Sequence, residues 1–274
     1  MEDTEELADF YVHRPLARPI ARALLPTRVT PNGVTIAGGV LGILAGVSLW
    51  YGAERPPLRL VAAVLLLASV VLDCADGQLA RLRNQSSPAG VVLDGAVDAV
   101  VGFATLLGAS HVLARLYPGW PVWTLGVVAT ASSEAQCFLF DVAKERYVTA
   151  RRLAYAPSKL LMSERPGGLP DPRDSESGVK TLLIRIFNRY AALVRRLAGG
   201  SDRANGRPLE ILTRGQMRAW AAIGLGTHFA LLYAAAAVSY LWPPALYVCL
   251  LLFSTAMNVV LAALLWTRPM NFTG

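Results

Sequence analysis

Six long apolar stretches, separated by polar connections, dominate the sequence. Each runs for about 19 to 26 residues, and a helix needs about 17 to 25 residues to cross a hydrocarbon core about 30 Å thick. Buried strands are shorter, at about 4 to 8 residues, so they do not account for these stretches. The pattern predicts an all-α integral membrane protein with six transmembrane helices, over residues 34–52, 58–82, 91–116, 120–143, 219–242 and 245–266.

The composition agrees with this prediction. Hydrophobic residues make up 54% of the 274 residues and charged residues 16%, whereas about 25% of residues in soluble domains are charged. A mean hydropathy of +0.43 argues against a disordered chain, a collagen-like fibre and an ordinary soluble domain. The three cysteines, Cys74, Cys137 and Cys249, are far apart and form no CxxC pair, so neither a disulfide framework nor a zinc site is predicted.

Basic residues are distributed unevenly over the connections. If the chain crosses the membrane six times, the two termini and the second and fourth connections share one side, which carries 23 of the 26 Lys and Arg residues. The positive-inside rule assigns that side to the cytoplasm. We therefore expect a multi-pass protein of a bacterial or archaeal cell membrane with cytoplasmic termini. Anionic lipid headgroups account for the net charge of +7, and no nucleic-acid partner is predicted.

Two polar segments are expected on the membrane surface. Arg14, Arg18 and Arg22 recur every four residues, which puts them on one face of an N-terminal amphipathic interfacial helix within residues 1–30. The acidic N-terminus does not resemble a signal peptide. The membrane domain, residues 31–274, contains a cytoplasmic insertion between the fourth and fifth spans, residues 144–215. Within it we predict a loop over residues 157–178 and an amphipathic surface helix over residues 179–197.

Four aspartates occur in and beside the second and third apolar stretches: Asp73, Asp76, Asp94 and Asp98. An Asp within a bilayer costs about 2.5 to 3.5 kcal/mol on insertion scales, so intramembrane acids indicate function. The first two are three residues apart and the last two are four apart, so each pair shares one face of its helix. Because consecutive spans are antiparallel, all four carboxylates are predicted at one depth, in a pocket open to the cytoplasm.

Carboxylates at this spacing predict a metal site. Four of them cannot all stay ionised without cations, and hard oxygen ligands favour Mg²⁺ or Mn²⁺ over zinc or copper. We expect two ions. Gly77 and Gly90 leave room for a ligand or a neighbouring helix, and Arg81 adds a permanent cation that suits phosphate. Metal, phosphate and lipid depth together indicate phosphoryl transfer at the membrane surface.

These residues resemble the complete signature of the CDP-alcohol phosphotransferases. The resemblance comprises eight specified positions with all their gaps: Asp73, Asp76, Gly77, Ala80, Arg81, Gly90, Asp94 and Asp98. It implies a six-helix membrane fold, a homodimer, a CDP-linked lipid donor and a small polar alcohol acceptor. It also implies that Asp73, Asp76 and Asp94 bind divalent metal and that Asp98 is both metal ligand and general base.

The resemblance extends to the donor site. It implies that three residues face the CDP group: Gly77, Ala80 and Arg81. Gly90 is then a structural glycine of the motif. Thr30-Pro31-Asn32, just before the first span, resembles the family's TPN element, which lies near the nucleotide, so Asn32 joins the predicted donor site. A helix N-terminus at this point suits phosphate independently.

The acceptor site departs from the family pattern. Members with phosphorylated acceptors commonly carry Arg-Ala-Arg after the fourth span, and this sequence does not. Glu134 and Asp141 share one face of that span. They serve either in packing or dimer contacts or in acceptor binding, and they would repel phosphate. We predict an unphosphorylated polyol or amino alcohol. The alternative is a phosphorylated acceptor held by the basic residues that follow: Lys144, Arg146, Arg151 and Arg152.

Three functions remain open at this point. The favoured one transfers a phosphatidyl-type group from a CDP-linked lipid, such as CDP-diacylglycerol, to a small polar alcohol and releases CMP. A second transfers a CDP-linked headgroup of choline or ethanolamine type to diacylglycerol, and the signature does not distinguish the two. The third is a divalent-cation transporter or structural membrane protein. That function needs polar residues along several spans, and the first, fifth and sixth have few.

Overall fold

The computed structural model describes residues 4–155 and 212–267, together with positions 185, 189 and 192. The two long stretches are helical and contain no strand. Their helices, in chain order, are α1 Arg14–Leu24, α2 Pro31–Tyr51, α3 Pro57–Leu82, α4 Pro88–Leu116, α5 Trp120–Tyr155, α6 Arg214–Ala221, α7 Leu225–Val238, α8 Pro244–Leu251 and α9 Met257–Thr267. Two π-helical turns, Asp9–His13 and Leu252–Ala256, lead directly into α1 and α9.

Hydroxyl side chains cap the N-termini of α2 and α4. Thr30 Oγ1 accepts a hydrogen bond from the Gly33 amide at 3.2 Å, and Ser87 Oγ accepts one from the Gly90 amide at 3.0 Å. A proline follows each cap at the first helical position, where its missing N–H costs nothing. Asn84, with a left-handed φ of 55°, reverses the chain between α3 and α4. The start of α2 and the start of α4 are therefore both fixed locally.

Helix α2 packs against both α3 and α4. Its contact with α4 depends on glycine: a Cβ at Gly46 would lie 2.7 Å from the Ala104 backbone, and a Cβ at Gly108 would lie 2.5 Å from the Gly46 carbonyl oxygen. Backbone touches backbone here, as at small-residue contacts between membrane helices. The position of α2 relative to the aspartates of α4 is consequently set by close packing.

Four helical segments are long and apolar enough to cross a membrane: Pro31–Tyr51, Pro57–Leu82, Gly90–Leu116 and Pro244–Trp266. They agree with the first, second, third and sixth predicted spans. A fifth arises if α6 and α7, which meet at a bend of 41°, count as one span. The predicted fourth span, residues 120–143, lies in α5, whose apolar sequence is interrupted by Glu134 and Asp141. A count of six is not confirmed within the described residues.

The structure differs from two predicted boundaries. Helix α5 continues to Tyr155, so the insertion predicted at residues 144–215 begins inside a helix. The predicted fifth span, residues 219–242, is divided at Gly224, and the Glu6 carboxylate caps the second half. Glu6 Oε2 accepts hydrogen bonds from the Thr227 amide at 2.6 Å and its hydroxyl at 2.9 Å. The predicted loop, residues 157–178, lies outside the described residues, as does all of the predicted surface helix except positions 185, 189 and 192.

The N-terminal segment packs on the helices of the signature. Ala17 and Ala21 in α1 are buried. Ala17 forms a small apolar cluster with Val71 and Ala75 of α3. Just before α1, the fully buried His13 bonds to Asp9 at 2.8 Å and to the Tyr233 hydroxyl of α7 at 3.3 Å. A helix, Arg14–Leu24, thus lies within the predicted segment, residues 1–30, but its amphipathic, interfacial character is not confirmed. Its contact with lipid headgroups stays a prediction.

Candidate active site

Three of the signature aspartates converge. Asp73 and Asp76 of α3 and Asp94 of α4 each present a carboxylate oxygen such that all three atoms lie within 4.8 Å of one another. Asp76 is buried, and the other two are partly buried. The charges of the Asp73 and Asp94 carboxylates also interact. Residues from two helices, 18 or more positions apart in sequence, thus form one oxygen-lined cluster, called the acid cluster below.

The acid cluster fits a divalent cation. Asp94 Oδ1 is buried and has no hydrogen-bond partner among the residues that the structure describes. A buried acceptor left without a partner is costly, and a cation would satisfy it. The donor set consists of hard carboxylate oxygens, which suit Mg²⁺ or Mn²⁺. Three residues could therefore hold a divalent cation: Asp73, Asp76 and Asp94.

Asp98 lies beside the acid cluster but not within that group of three. It is four residues beyond Asp94, about 6 Å along the same helix face. Its charge interacts with those of Asp73, Asp76 and Asp94, so the four aspartates share one region. The geometry leaves Asp98 nearer to the membrane interior, where a proton acceptor for a lipid-side reaction would stand.

Thr35 was not among the predicted site residues, although the structure places it in the acid cluster. This buried side chain of α2 donates a hydrogen bond from its hydroxyl to Asp76 Oδ2, a contact between two buried groups. The hydroxyl also lies 3.2 Å from the Pro31 carbonyl oxygen. Hydrogen bonds to ligating carboxylates fix their orientation. The available signal was a polar residue inside an apolar span.

The predicted donor residues lie at the start of α2 and in the last turns of α3. Asn32 lies beside the start of α4, since its Oδ1 is 3.2 Å from the position a Cβ would take at Gly90. On α3, the Arg81 guanidinium reaches back over Gly77, with Nη1 3.6 Å from a Cβ position there. Ala80 is partly buried on the same helix. The two glycines thus leave space at the points where Asn32 and Arg81 approach.

The two acids of α5 are both exposed. The charge of Asp141 interacts with that of Asp98, and Glu134 and Asp141 both interact electrostatically with Cys137. Glu134 Oε1 lies 4.0 Å from a Cβ position at Gly102 of α4. This face of α5 therefore points toward α4 and toward Asp98, as an acceptor-site role requires.

The basic residues of α5 differ in burial and in the rings they contact. Arg151 stacks on the Tyr147 ring, with its guanidinium carbon 4.7 Å from the ring centre. Lys144 is exposed and lies 5.6 Å from the Phe140 ring centre. Arg146 is buried. The side chain of Arg152 lies outside the described part of the chain.

Two further acids approach from the N-terminal segment, and sequence reasoning assigned neither to the site. The charge of Asp9 interacts with that of Asp98, and Glu6 interacts with Cys137. Burial, followed by repulsion from Asp9, raises the pKa of Glu6 to about 7, although hydrogen bonds from Thr227 oppose the shift. These interactions join residues far apart in the sequence, so no local pattern indicates them.

The acid cluster lies among apolar helices and is suited to a divalent cation. The chain carries a CDP-alcohol phosphatidyltransferase domain, because residues 28–163 match that family. This confirms the resemblance read from the signature. The match contains Asn32, Thr35 and all four aspartates, and it offers no support for a transporter or a purely structural protein.

Similar proteins include an inner membrane protein and two named enzymes. The inner membrane protein YnjF of Escherichia coli (strain K12) is 34% identical over 137 residues, which cover 46% of this chain and 61% of that protein. Phosphatidylinositol phosphate synthase of Mycolicibacterium smegmatis is 30% identical over 99 residues, 34% of this chain and 40% of that protein. CDP-diacylglycerol–serine O-phosphatidyltransferase of Helicobacter pylori is 30% identical over 106 residues, 39% and 41% respectively.

The chain thus spans less than two thirds of the length of each of these relatives. The names of the two enzymes differ: one refers to phosphatidylinositol phosphate and the other to serine. Similarity to these relatives therefore does not identify the acceptor alcohol of this chain.

Proposed function

We propose that this protein transfers a phosphatidyl-type group from a CDP-linked lipid to the hydroxyl of a small polar alcohol and releases CMP. The observation that carries the proposal is the acid cluster: three carboxylate oxygens within 4.8 Å, next to Asp98, inside the matched family region. A cluster of this kind at lipid depth suits the transfer of a phosphate-linked lipid group.

In the proposed reaction, Asp98 accepts the proton of the acceptor hydroxyl. The hydroxyl oxygen forms a bond to the phosphorus next to the lipid, and the bond from that phosphorus to CMP breaks, with the electron pair leaving on CMP. Arg81 and Asn32 hold the donor phosphates and nucleotide between α3 and the start of α2. The Thr35 hydroxyl holds the Asp76 carboxylate in a fixed orientation through its hydrogen bond. A divalent ion held by Asp73, Asp76 and Asp94 supplies charge neutralisation on the donor pyrophosphate when bound.

We further propose that the pocket opens to the cytoplasm and that the active protein is a homodimer. The orientation is supported by the distribution of Lys and Arg, 23 of 26 on one side of the predicted topology. The dimer is what membership in the family implies.

For the acceptor, we propose an unphosphorylated polyol or amino alcohol. The exposed acids Glu134 and Asp141 face the region of Asp98, and they accept hydrogen bonds from hydroxyl or ammonium groups but repel phosphate.

The test is CMP release by the purified full chain with CDP-diacylglycerol and Mg²⁺ or Mn²⁺. Inositol, serine and ethanolamine are compared with inositol phosphate and glycerol phosphate. We expect turnover with an unphosphorylated alcohol, and a KM for it that rises about tenfold or more in Glu134→Gln or Asp141→Asn but not in Glu54→Gln, an exposed acid outside the pocket. Turnover with phosphorylated alcohols alone would refute the acceptor proposal. Turnover only with CDP-choline or CDP-ethanolamine and diacylglycerol would replace it with headgroup transfer.

A further inference from the structure

Arg83, immediately after α3, binds the connection between α1 and α2. Its guanidinium donates hydrogen bonds to four backbone carbonyl oxygens at 2.5 to 3.1 Å: those of Leu24, Leu25, Thr27 and Val29. All four acceptors belong to one stretch of six residues. We call residues 24–29 the anchored loop.

A guanidinium is well suited to bind the backbone carbonyl groups of the anchored loop. The last carbonyls of a helix have no helical partner and carry partial negative charge. Arginine offers five N–H donors in a fixed planar fork, so one side chain satisfies several carbonyls at once. Lysine has three donors on one atom and no fork, so it does not reproduce this arrangement.

The anchored loop leads directly into the donor side of the site. Val29 precedes Thr30, whose hydroxyl caps α2 through the Gly33 amide. Asn32, in the first turn of α2, then lies against Gly90 at the start of α4. Arg83 therefore fixes the chain three residues before the side chain that is proposed to contact the nucleotide.

Arg81 and Arg83 divide two tasks between them. Among the residues that the structure describes, none hydrogen-bonds the exposed Arg81 guanidinium, which lies over Gly77. The Arg83 guanidinium is committed to the four carbonyls. Arg81 is thus the cation of this helix end that is free for a phosphate.

We propose that Arg83 is a positioning residue of the donor site, acting through the anchored loop on Thr30 and Asn32. The inference rests on the proposed function, in which Asn32 and Arg81 hold the CDP group. It assigns to Arg83 an effect on donor binding without contact between Arg83 and the donor.

An Arg83→Ala variant is expected to fold, because three of the four freed carbonyls belong to exposed residues where water replaces the guanidinium. The KM for the CDP-linked donor should rise about tenfold or more, as the loss of several charge-assisted hydrogen bonds implies. The KM for the acceptor should stay within about twofold of wild type. Arg83→Lys should give an intermediate donor KM, and Arg18→Ala, which removes an exposed cation from α1, should match wild type.

A second measurement reports on the loop without activity. Arg28 is exposed in the anchored loop, so trypsin cleavage after Arg28, followed by mass spectrometry, measures how often the loop opens. We expect cleavage at this bond to be about tenfold faster or more in Arg83→Ala than in wild type or Arg18→Ala.

The outcomes are distinct. A donor KM unchanged in Arg83→Ala, or equal losses in donor KM, acceptor KM and kcat, would overturn the proposal. A raised donor KM with unchanged cleavage would also overturn it, because Arg83 would then act on the donor directly. If wild-type protein releases no CMP from any donor, the proposed function fails, while the cleavage measurement still tests the anchor.

Discussion

The Thr35 hydroxyl in α2 donates a hydrogen bond to the Asp76 carboxylate in α3, and both groups are buried. This contact joins α2, whose first turn contains the proposed donor-site residue Asn32, to α3, which carries two of the three clustered aspartates. Since α2 is packed backbone to backbone against α4, the orientation of Asp76 is held from a rigid element.

Replacing Thr35 by Val tests this contact, because Val has nearly the same shape but no hydroxyl. Loss of a bond that orients a metal ligand typically costs about 10- to 100-fold in metal affinity or activity. We expect the Mg²⁺ or Mn²⁺ concentration for half-maximal CMP release to rise by that factor in Thr35→Val. Thr35→Ser, which keeps the hydroxyl, should remain near wild type. Equal metal dependence in wild type and Thr35→Val would show that the contact has no such role.

Asp98→Asn tests the proton acceptor. The amide keeps the size of the side chain but cannot take a proton, and positioned general bases contribute about 10² to 10⁴-fold in rate. We expect turnover to fall by at least about a hundredfold while the variant still inserts in the membrane and still binds the CDP-linked donor with metal, measured by equilibrium binding. A variant that kept more than about a tenth of the wild-type rate would remove Asp98 from this role.

Glu6 predicts a dependence of stability on pH. Its pKa is raised from 4.5 to about 7 by burial and by Asp9, so the folded state favours the protonated acid. The contribution of this group to stability is therefore present at low pH and is lost as pH rises through about 7. Glu6→Gln still offers an oxygen to the Thr227 amide and hydroxyl but does not titrate. We expect the melting temperature of wild type to fall relative to that of Glu6→Gln as pH rises from 4.5 to about 7, the interval between the two pKa values, and the difference to level off above it.

Parallel melting curves for the two proteins over this range would contradict the prediction. Glu5→Gln serves as the control, because Glu5 pairs with Arg14 near the surface of the same segment and does not cap α7. Its melting temperature should follow that of wild type at each pH.

How much of the site was predictable depends on the distance between contacting residues along the chain. Asp73 and Asp76, or Asp94 and Asp98, share a face because the helical period fixes it, so spacing alone brought them together. The bond between Thr35 and Asp76 joins residues 41 positions apart, and the cap of Glu6 on Thr227 joins residues 221 apart. No periodicity in either segment specifies such a partner.

The same reasoning explains where the helices differ from the predicted spans. The sequence around Gly224 is apolar and therefore predicts a continuous fifth span. Hydropathy alone does not indicate that Glu6, a distant residue, caps the start of α7 after a break. The fourth span was predicted to end at Ala143 because charged residues follow it in the sequence. Helical hydrogen bonds continue to Tyr155 regardless of that change in polarity.

Orientation in the membrane is tested by cysteine labelling. A cysteine at Ser175, in the predicted cytoplasmic insertion, should react with an impermeant thiol reagent only after the membrane is opened. A cysteine at Glu54, exposed between α2 and α3, should react in intact cells and serves as the control. Labelling of the Ser175 position from outside would overturn the assignment of the pocket to the cytoplasm.

The central claim is that the acid cluster binds a divalent cation required to release CMP from a CDP-linked lipid. The direct measurement is CMP release from CDP-diacylglycerol by purified wild type and Asp94→Asn, after chelation and on adding back Mg²⁺ or Mn²⁺. We predict that wild type loses release on chelation and regains it with metal, and that Asp94→Asn needs about 10-fold or more metal or releases none. Metal-independent release by wild type, or equal metal dependence in the two proteins, would contradict the account.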